Sequence, residues 1–149
     1  MSSIGHFSGE ADLLDDLTFE NNYSSMGVYK NSKLLNVIFT VGLRNLFEKK
    51  NLKHLKTASL HPGFVDTGFG LDNNMMKFYR CCCFCLRVNE GTGATTSLHL
   101  CRIPFEQINN GEYYDDDTKQ IEMNKLGRDP KLLNRLWEVS EKAYGIKFD

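Results

Sequence analysis

A wide apolar stripe at helical spacing constrains this chain more than any other feature. From Met26 to about Lys50, the residues Leu34, Leu35, Ile38, Val41 and Leu46 recur at intervals of three and four, and Val37 and Phe39 widen the face. A helix so apolar on one side needs a sheet or a second helix to cover it. Ser24 or Ser25 suits its start, where a hydroxyl can accept from an amide that has no partner within the helix. Lys49 and Lys50 suit the negative end of its dipole.

The elements available to cover it are short. Lys56 to Leu60 reads as a strand stopped by His61-Pro62-Gly63. Phe64 to Gly70 reads as a loop, and Asn73 to Val88 is apolar, aromatic and cysteine-rich. Glu90 to Ile103 reads as a second helix with Ala94, Leu98 and Cys101 near one face, ended by Pro104. Gly111 to Tyr114 starts a strand, and Asp115 to Leu126 reads as polar loop. Asp129 can cap a last helix with Pro130 at its first position; that helix carries Leu132, Leu133, Leu136, Trp137 and Val139, and Gly145 follows it. The stretch before Ser25 is polar and irregular, with one helical turn expected around Asp12 to Leu17.

Alternating helices and strands predict an α/β fold with a parallel sheet. Two clear strands are too few for a doubly wound sheet, so residues 1–149 are expected to form one truncated domain. The net charge is -1 with Lys and Arg scattered, which leaves no electrostatic footprint for nucleic acid. No apolar run reaches the roughly 18 residues that span a bilayer, and Met1 to His6 lacks the features of a signal peptide. Of five cysteines, four crowd into Cys81-Cys82-Cys83-Phe84-Cys85, a poor disulfide framework. A reducing, cytoplasmic setting is expected.

Tyr29 and Lys33 stand at i and i+4, so on a helix they share a face with Cβ atoms about 5–6 Å apart. A free phenol, with a pKa near ~10, is a poor acid–base group at neutral pH. A neighbouring ammonium favours the phenolate and lowers that value; bringing it down by ~2 takes about 2.7 kcal/mol of differential interaction. The pair is therefore a possible proton-transfer device. By spacing alone an ordinary surface pair is the commoner explanation, and the residues around it decide.

Ser2-Ser3 precedes the tyrosine, Tyr29-Lys30-Asn31-Ser32-Lys33 opens the long helix, and Leu60-His61-Pro62-Gly63 ends the strand, with Thr67 close behind. Together these resemble the short-chain dehydrogenase/reductase family. Tyr29 to Thr40, Glu90-Gly91-Thr92-Gly93-Ala94 and Leu136-Trp137-Glu138-Val139-Ser140 extend the likeness to its retinol dehydrogenase-like branch over nearly the whole chain. The resemblance implies the C-terminal part of a Rossmann-like parallel sheet with flanking helices, the N-terminal half missing. It implies an NAD(P)-dependent oxidoreductase that moves hydride between the nicotinamide and an alcohol or carbonyl. In that family the catalytic serine is like the second of the pair, so Ser3 would hold the substrate oxygen. Tyr29 would pass the proton, and Lys33 would tune Tyr29 and hold the nicotinamide ribose. Pro62, Gly63, Val65 and Thr67 would line the nicotinamide site. Each has a plainer alternative: Ser3 as a terminal loop serine, Pro62-Gly63 as a simple turn. His6 and His61 are read as structural or exposed and receive no role.

The chain lacks the glycine-rich first βα turn that receives a dinucleotide pyrophosphate. Gly91-Thr92-Gly93 follows a polar loop rather than a strand and does not replace it. The family's Asn-Asn-Ala-Gly stretch and catalytic asparagine are absent, Asn21 and Asn22 standing after Ser3 in the wrong order. The NAD or NADP site is thus expected to be incomplete and this fragment inactive. The alternative is a non-catalytic remnant or partner-binding module, with homo-oligomerisation left open. Residues 75–86 fall where the family covers its substrate. They read as an apolar lid favouring a lipophilic substrate, or as a membrane-surface contact with acylated cysteines beside Lys77 and Arg80; metal binding ranks last.

Overall fold

A computed structural model gives the fold and describes residues 1–10, 14–16, 20, 23–67 and 87–147. In chain order the elements are α1 (Ser25–Lys49), β1 (Ala58–Leu60), β2 (Phe64–Val65), β3 (Arg87–Val88), α2 (Glu90–Gly93), α3 (Thr95–Arg102), β4 (Glu112–Tyr114), β5 (Gln120–Ile121) and α4 (Pro130–Tyr144). Short 3-10 turns stand at Ile4–Ser8, Phe105–Gln107 and Lys125–Arg128. Of the stretch where a turn was expected, Asp12 to Leu17, residues 14–16 are described, and they hold a turn at Leu14 and Asp15; a further turn stands earlier, at Ile4–Ser8.

Helix α1 forms where its stripe and cap place it. The Ser24 hydroxyl accepts from the Gly27 N–H at 3.3 Å. Leu34, Val37, Ile38 and Val41 are buried and meet Tyr113 of β4, Met123 and Leu133 of α4 in one core. Burial of each such aliphatic side chain is worth about 1.5–3 kcal/mol. Phe39 is the exception to the expected face: it is half exposed and meets Trp137 of α4 with ring centroids 5.5 Å apart. Gly42 lets this contact close, since a Cβ there would stand 3.0 Å from Trp137 Cζ2. Helix α4 is bounded as its sequence suggests, with the Asp129 carboxylate accepting from the Lys131 N–H at 2.8 Å and Gly145 left-handed at φ 67°.

The architecture is mixed α/β. Strands β1 and β4 pair in parallel, with Ala58, Ser59 and Leu60 opposite Glu112, Tyr113 and Tyr114. Strand β5 adds to β4 antiparallel, which departs from the all-parallel expectation. Residues 115–126 are accordingly not all loop. Thr118, at φ 69°, helps turn the chain, and the Asp115 N–H donates to Lys119 O at 2.9 Å, closing a tight β4–β5 connection. Phe64–Val65, expected as loop, pairs in parallel with Arg87–Val88 as a separate two-stranded sheet. Strands of two residues carry no alternation long enough to betray them, and only their distant partner defines them.

The helix expected over Glu90 to Ile103 is broken at Ala94, and its buried side differs from the one expected. Thr96 is buried, its hydroxyl donating to Asp115 O at 2.8 Å, whereas Leu98 and Cys101 are exposed. Gly93 is buried because it sits directly against the Val65 side chain. One strand, β3, does precede Gly91-Thr92-Gly93 after all, with Asn89 and Glu90 between. Before Pro104, Ile103 leaves the helix in the extended conformation that a following proline imposes.

Candidate active site

Ser2 and Ser3 are tied into the fold at two points. The Ser2 N–H donates to Leu60 O at 2.8 Å, so the first residues run beside the end of β1. The Ser2 hydroxyl donates to Lys33 O at 2.8 Å, which fixes the same residues to α1. Ser3 then caps the Ile4–Ser8 turn: extended itself, it accepts at Oγ from the Gly5 N–H at 3.2 Å. It is buried, so it is not a fraying terminal serine.

Tyr29 and Lys33 occupy successive turns of α1 and face the same way. Lys33 Nζ stands 5.5 Å from the centroid of the Tyr29 ring, within cation–π range. Gly5 connects this pair to the serine. A Cβ on Gly5 would lie 3.2 Å from Tyr29 Cε1 and 3.7 Å from Ser3 Oγ, so the phenol ring and the hydroxyl border one small space. Ser3, Tyr29 and Lys33 are thus brought together from the chain start and the first half of α1.

The remaining expected residues follow the end of β1. The His61 N–H continues the ladder to Tyr114 O at 3.0 Å, and Pro62 follows. Gly63 needs its lack of side chain: its φ is 80°, and a Cβ would come within 2.9 Å of Asp116 Oδ2. Val65 packs on Gly93 in the smaller sheet, and Thr67 lies in a bend with its N–H donating to Val65 O at 2.9 Å. Pro62 and Gly63 adjoin the serine segment through Leu60, while Val65 and Thr67 are built on other supports. Two shallow hollows border α4, one lined by residues such as Leu14 and Arg135, the other by Gly42 and Trp137. Neither includes Ser3 or Tyr29.

Three buried groups near these residues carry no role in the sequence reading. The His6 ring is fully buried, 4.3 Å from the ring of Tyr113 and 4.1 Å from that of Phe7. Its Nδ1 lies 2.7 Å from Ser3 O, and its Nε2 accepts from the Asn124 N–H at 3.2 Å. Burial, aided by nearby His61, holds its pKa below the ordinary histidine value despite the Ser3 carbonyl and Asp115. His61 is likewise buried and likewise lowered by burial, against the opposing pull of Asp115 and Asp116. The Tyr113 phenol is pushed well up by burial, then by Asp115, Asp116 and Tyr29. Among the described residues, Ser59 Oγ, His61 Nδ1 and Tyr113 Oη are buried and find no hydrogen-bond partner, and Ser59 and Tyr113 are register partners across β1 and β4. The one local signal for His6 is its position three residues after Ser3, within reach of that carbonyl across a turn.

Residues 75–86, read as lid or membrane contact, lie outside the described residues. Among the described residues no cluster of three or more His, Cys, Asp or Glu side chains is placed to hold a metal, and no helix is long and apolar enough to cross a membrane.

Comparison with known proteins bears on this geometry. No family model matches the chain. It is 29% identical to human retinol dehydrogenase 12, with all of this chain and 46% of that protein covered. It is 29% identical to human retinol dehydrogenase 14 over 89% of this chain and 39% of that protein. A short-chain dehydrogenase/reductase of Aspergillus calidoustus, drtF, matches at 28% over 76% of this chain and 38% of its own length. The chain therefore spans less than half the length of these relatives. A crystal structure of an uncharacterized protein from Mycobacterium paratuberculosis superimposes with a TM-score of 0.71 at 21% identity, over 99% of this chain and 50% of that one, which shows likeness of fold. The resemblance to short-chain dehydrogenases/reductases, and among them to retinol dehydrogenases, thus extends over the whole chain at 28–29% identity.

Proposed function

We propose that this chain, a relative of the short-chain dehydrogenases/reductases in their retinol dehydrogenase-like branch, carries the acid–base half of an NAD(P)-dependent oxidoreductase acting on a lipophilic alcohol or carbonyl. The observation that carries the reading is the convergence of Ser3 Oγ and the Tyr29 ring on Gly5, with Lys33 Nζ over that ring. On this reading residues 1–149 are one catalytic piece of a Rossmann-like domain.

The residues present fit the nicotinamide end of a dinucleotide. Gly63, at φ 80°, keeps the end of β1 free of side-chain bulk, and Pro62 and Gly63 adjoin the segment that holds Ser3. When bound, the nicotinamide would give or take the hydride. Ser3 Oγ would hold the substrate oxygen by a hydrogen bond. Tyr29 Oη would give the proton to that oxygen in reduction and take it back in oxidation. The Lys33 ammonium would favour the phenolate and hold the ribose, and Val65 and Thr67 would border the nicotinamide from the smaller sheet. The pyrophosphate needs a glycine-rich turn that leads from the first strand into a helix N-terminus, and no such glycine pattern stands in the 149 residues. Charge-assisted hydrogen bonds contribute about 1.5–3 kcal/mol each, and several lost together exceed the ~8 kcal/mol of micromolar affinity. The chain alone is therefore expected to bind neither NADH nor NADPH at micromolar concentration and to be inactive.

The test joins the chain to the cofactor-binding half of a short-chain dehydrogenase and measures turnover and cofactor affinity. Tyr29→Phe keeps the ring and removes the proton; kcat should fall about 10²–10⁴-fold with cofactor affinity nearly unchanged. Undiminished aldehyde reduction after Tyr29→Phe, in a fused protein that binds cofactor, would sink the assignment. Cofactor binding without turnover would favour the non-catalytic alternative.

A further inference from the structure

His6 links the candidate site to the far end of the chain. Its ring is fully buried and both of its nitrogens are engaged, one by Ser3 O at 2.7 Å and one by the Asn124 N–H at 3.2 Å. A carbonyl oxygen can only accept and a backbone N–H can only donate. The ring must therefore be neutral with its proton on Nδ1. The other tautomer would set an Nε2–H against the Asn124 N–H and turn a lone pair toward the Ser3 carbonyl. An imidazolium would bring the same clash of donors at Nε2. Asn124 reinforces the arrangement, its side-chain amide donating to His6 O at 3.1 Å and to Phe7 O at 3.2 Å.

The held segment is the one that carries the serine. Ser3 begins the Ile4–Ser8 turn, its hydroxyl accepts from Gly5, and Gly5 packs against the Tyr29 ring. We propose that His6 is the positioning residue of Ser3: its neutral Nδ1–H form sets the Ser3 turn against Tyr29, and protonation of the ring, by setting an Nε2–H against the Asn124 N–H, breaks the turn's tie to Asn124 and loosens it. The inference rests on reading Ser3 and Tyr29 as the acid–base site, and it adds a pH-sensitive hold on that site.

The groups facing the ring are His61 beyond β1, Tyr113 on β4, Asp115 beyond β4, and Phe7 and Ser3 on its own segment. Burial and His61 oppose charging, the Ser3 carbonyl and Asp115 favour it, and the balance lies below the ordinary value of 6.5. A group whose folded pKa is depressed contributes stability that is present above its unfolded value and lost as pH falls through the folded one. The turn should therefore be fully held at neutral pH and loosen only in acid, below pH 6.5.

Nitrogen-15 NMR of the 149-residue chain tests this without cofactor or turnover. The His6 ring should show a protonated Nδ1 and a bare Nε2 at neutral pH. The Gly5 amide and Tyr29 ring signals should stay flat above pH 6.5 and then move together with the His6 midpoint. His6→Asn keeps an N–H donor for the Ser3 carbonyl and removes the titrating group. It should leave the Gly5 signal near its wild-type position and abolish its acid step. A bare Nδ1, a Gly5 signal indifferent to the His6 titration, or an unchanged acid step in His6→Asn overturns the proposal. Should His6→Asn fail to fold, the wild-type tautomer and shared midpoint still decide. None of these outcomes depends on Tyr29→Phe kinetics, so failure here and failure of the oxidoreductase reading remain separate results.

Discussion

The two halves of the proposed site stand on different supports. Ser3, Tyr29 and Lys33 belong to a region where α1 packs four aliphatic side chains onto Tyr113, Met123 and Leu133. Val65 and Thr67 belong to a region of two-residue strands and a four-residue helix, held by the Gly93–Val65 contact and an Arg87–Asp66 ion pair at 3.1 Å. Proton transfer fails if a hydrogen bond lengthens by a fraction of an ångström, so its groups belong on packed elements. A surface that only borders a nicotinamide tolerates a lighter frame. The contrast predicts that perturbing the first region costs global stability and perturbing the second costs little.

The largest effect should come from Leu34→Ala. Leu34 is fully buried in the α1 core and also meets the backbone at Gly9, where a Cβ would lie 2.7 Å from Leu34 Cβ. Truncation removes buried surface and leaves a cavity, at a cost of about 2–5 kcal/mol. Urea unfolding followed by circular dichroism would measure it. A loss under about 1 kcal/mol would mean that the two regions are equally soft.

Next comes Gly93→Ala. The new methyl would run into the Val65 side chain, and both sit on short elements. Overpacking typically costs about 1–3 kcal/mol, but here β2 and α2 can separate. Hydrogen exchange should report faster exchange at Asp66 N–H, which bonds Val88 O, while the β1–β4 amides keep their protection. Equal loss of protection in both sheets would show one cooperative unit instead of two.

The same contrast explains what the sequence could and could not tell. Helix α1 and α4 were legible because period, caps and the Gly145 stop are local properties of neighbouring residues. The end of β1 was legible from Pro62-Gly63. Strands β2, β3 and β5 were not, because two residues have no period and are defined by partners across the fold. The face of α3 was misjudged because Thr96 is buried by a hydrogen bond to Asp115, which composition cannot foretell. The grouping of Ser3 with Tyr29 and Lys33 was legible through family resemblance and not through spacing, since 25 intervening residues fix no distance. His6 was missed because what buries it, Tyr113 and Asn124, lies more than 100 positions away.

The smallest effect should come from Asp66→Asn, which removes the charge facing Arg87 across the β2–β3 pair. The Asp66 carboxylate is 40% exposed and the Arg87 side chain 22% exposed, so solvent screens much of their attraction. Partly exposed pairs of this kind contribute about 0–1 kcal/mol, and asparagine keeps the shape and a hydrogen-bonding oxygen. The strand pairing itself survives, because Asp66 N–H and Val88 O belong to the backbone. Global stability should thus change by less than ~1 kcal/mol, and the difference from wild type should shrink further in high salt. A loss comparable to that of Leu34→Ala would reverse the ranking, since it would place the smaller sheet under the same cooperative load as the α1 core and make Val65 and Thr67 part of the rigid frame.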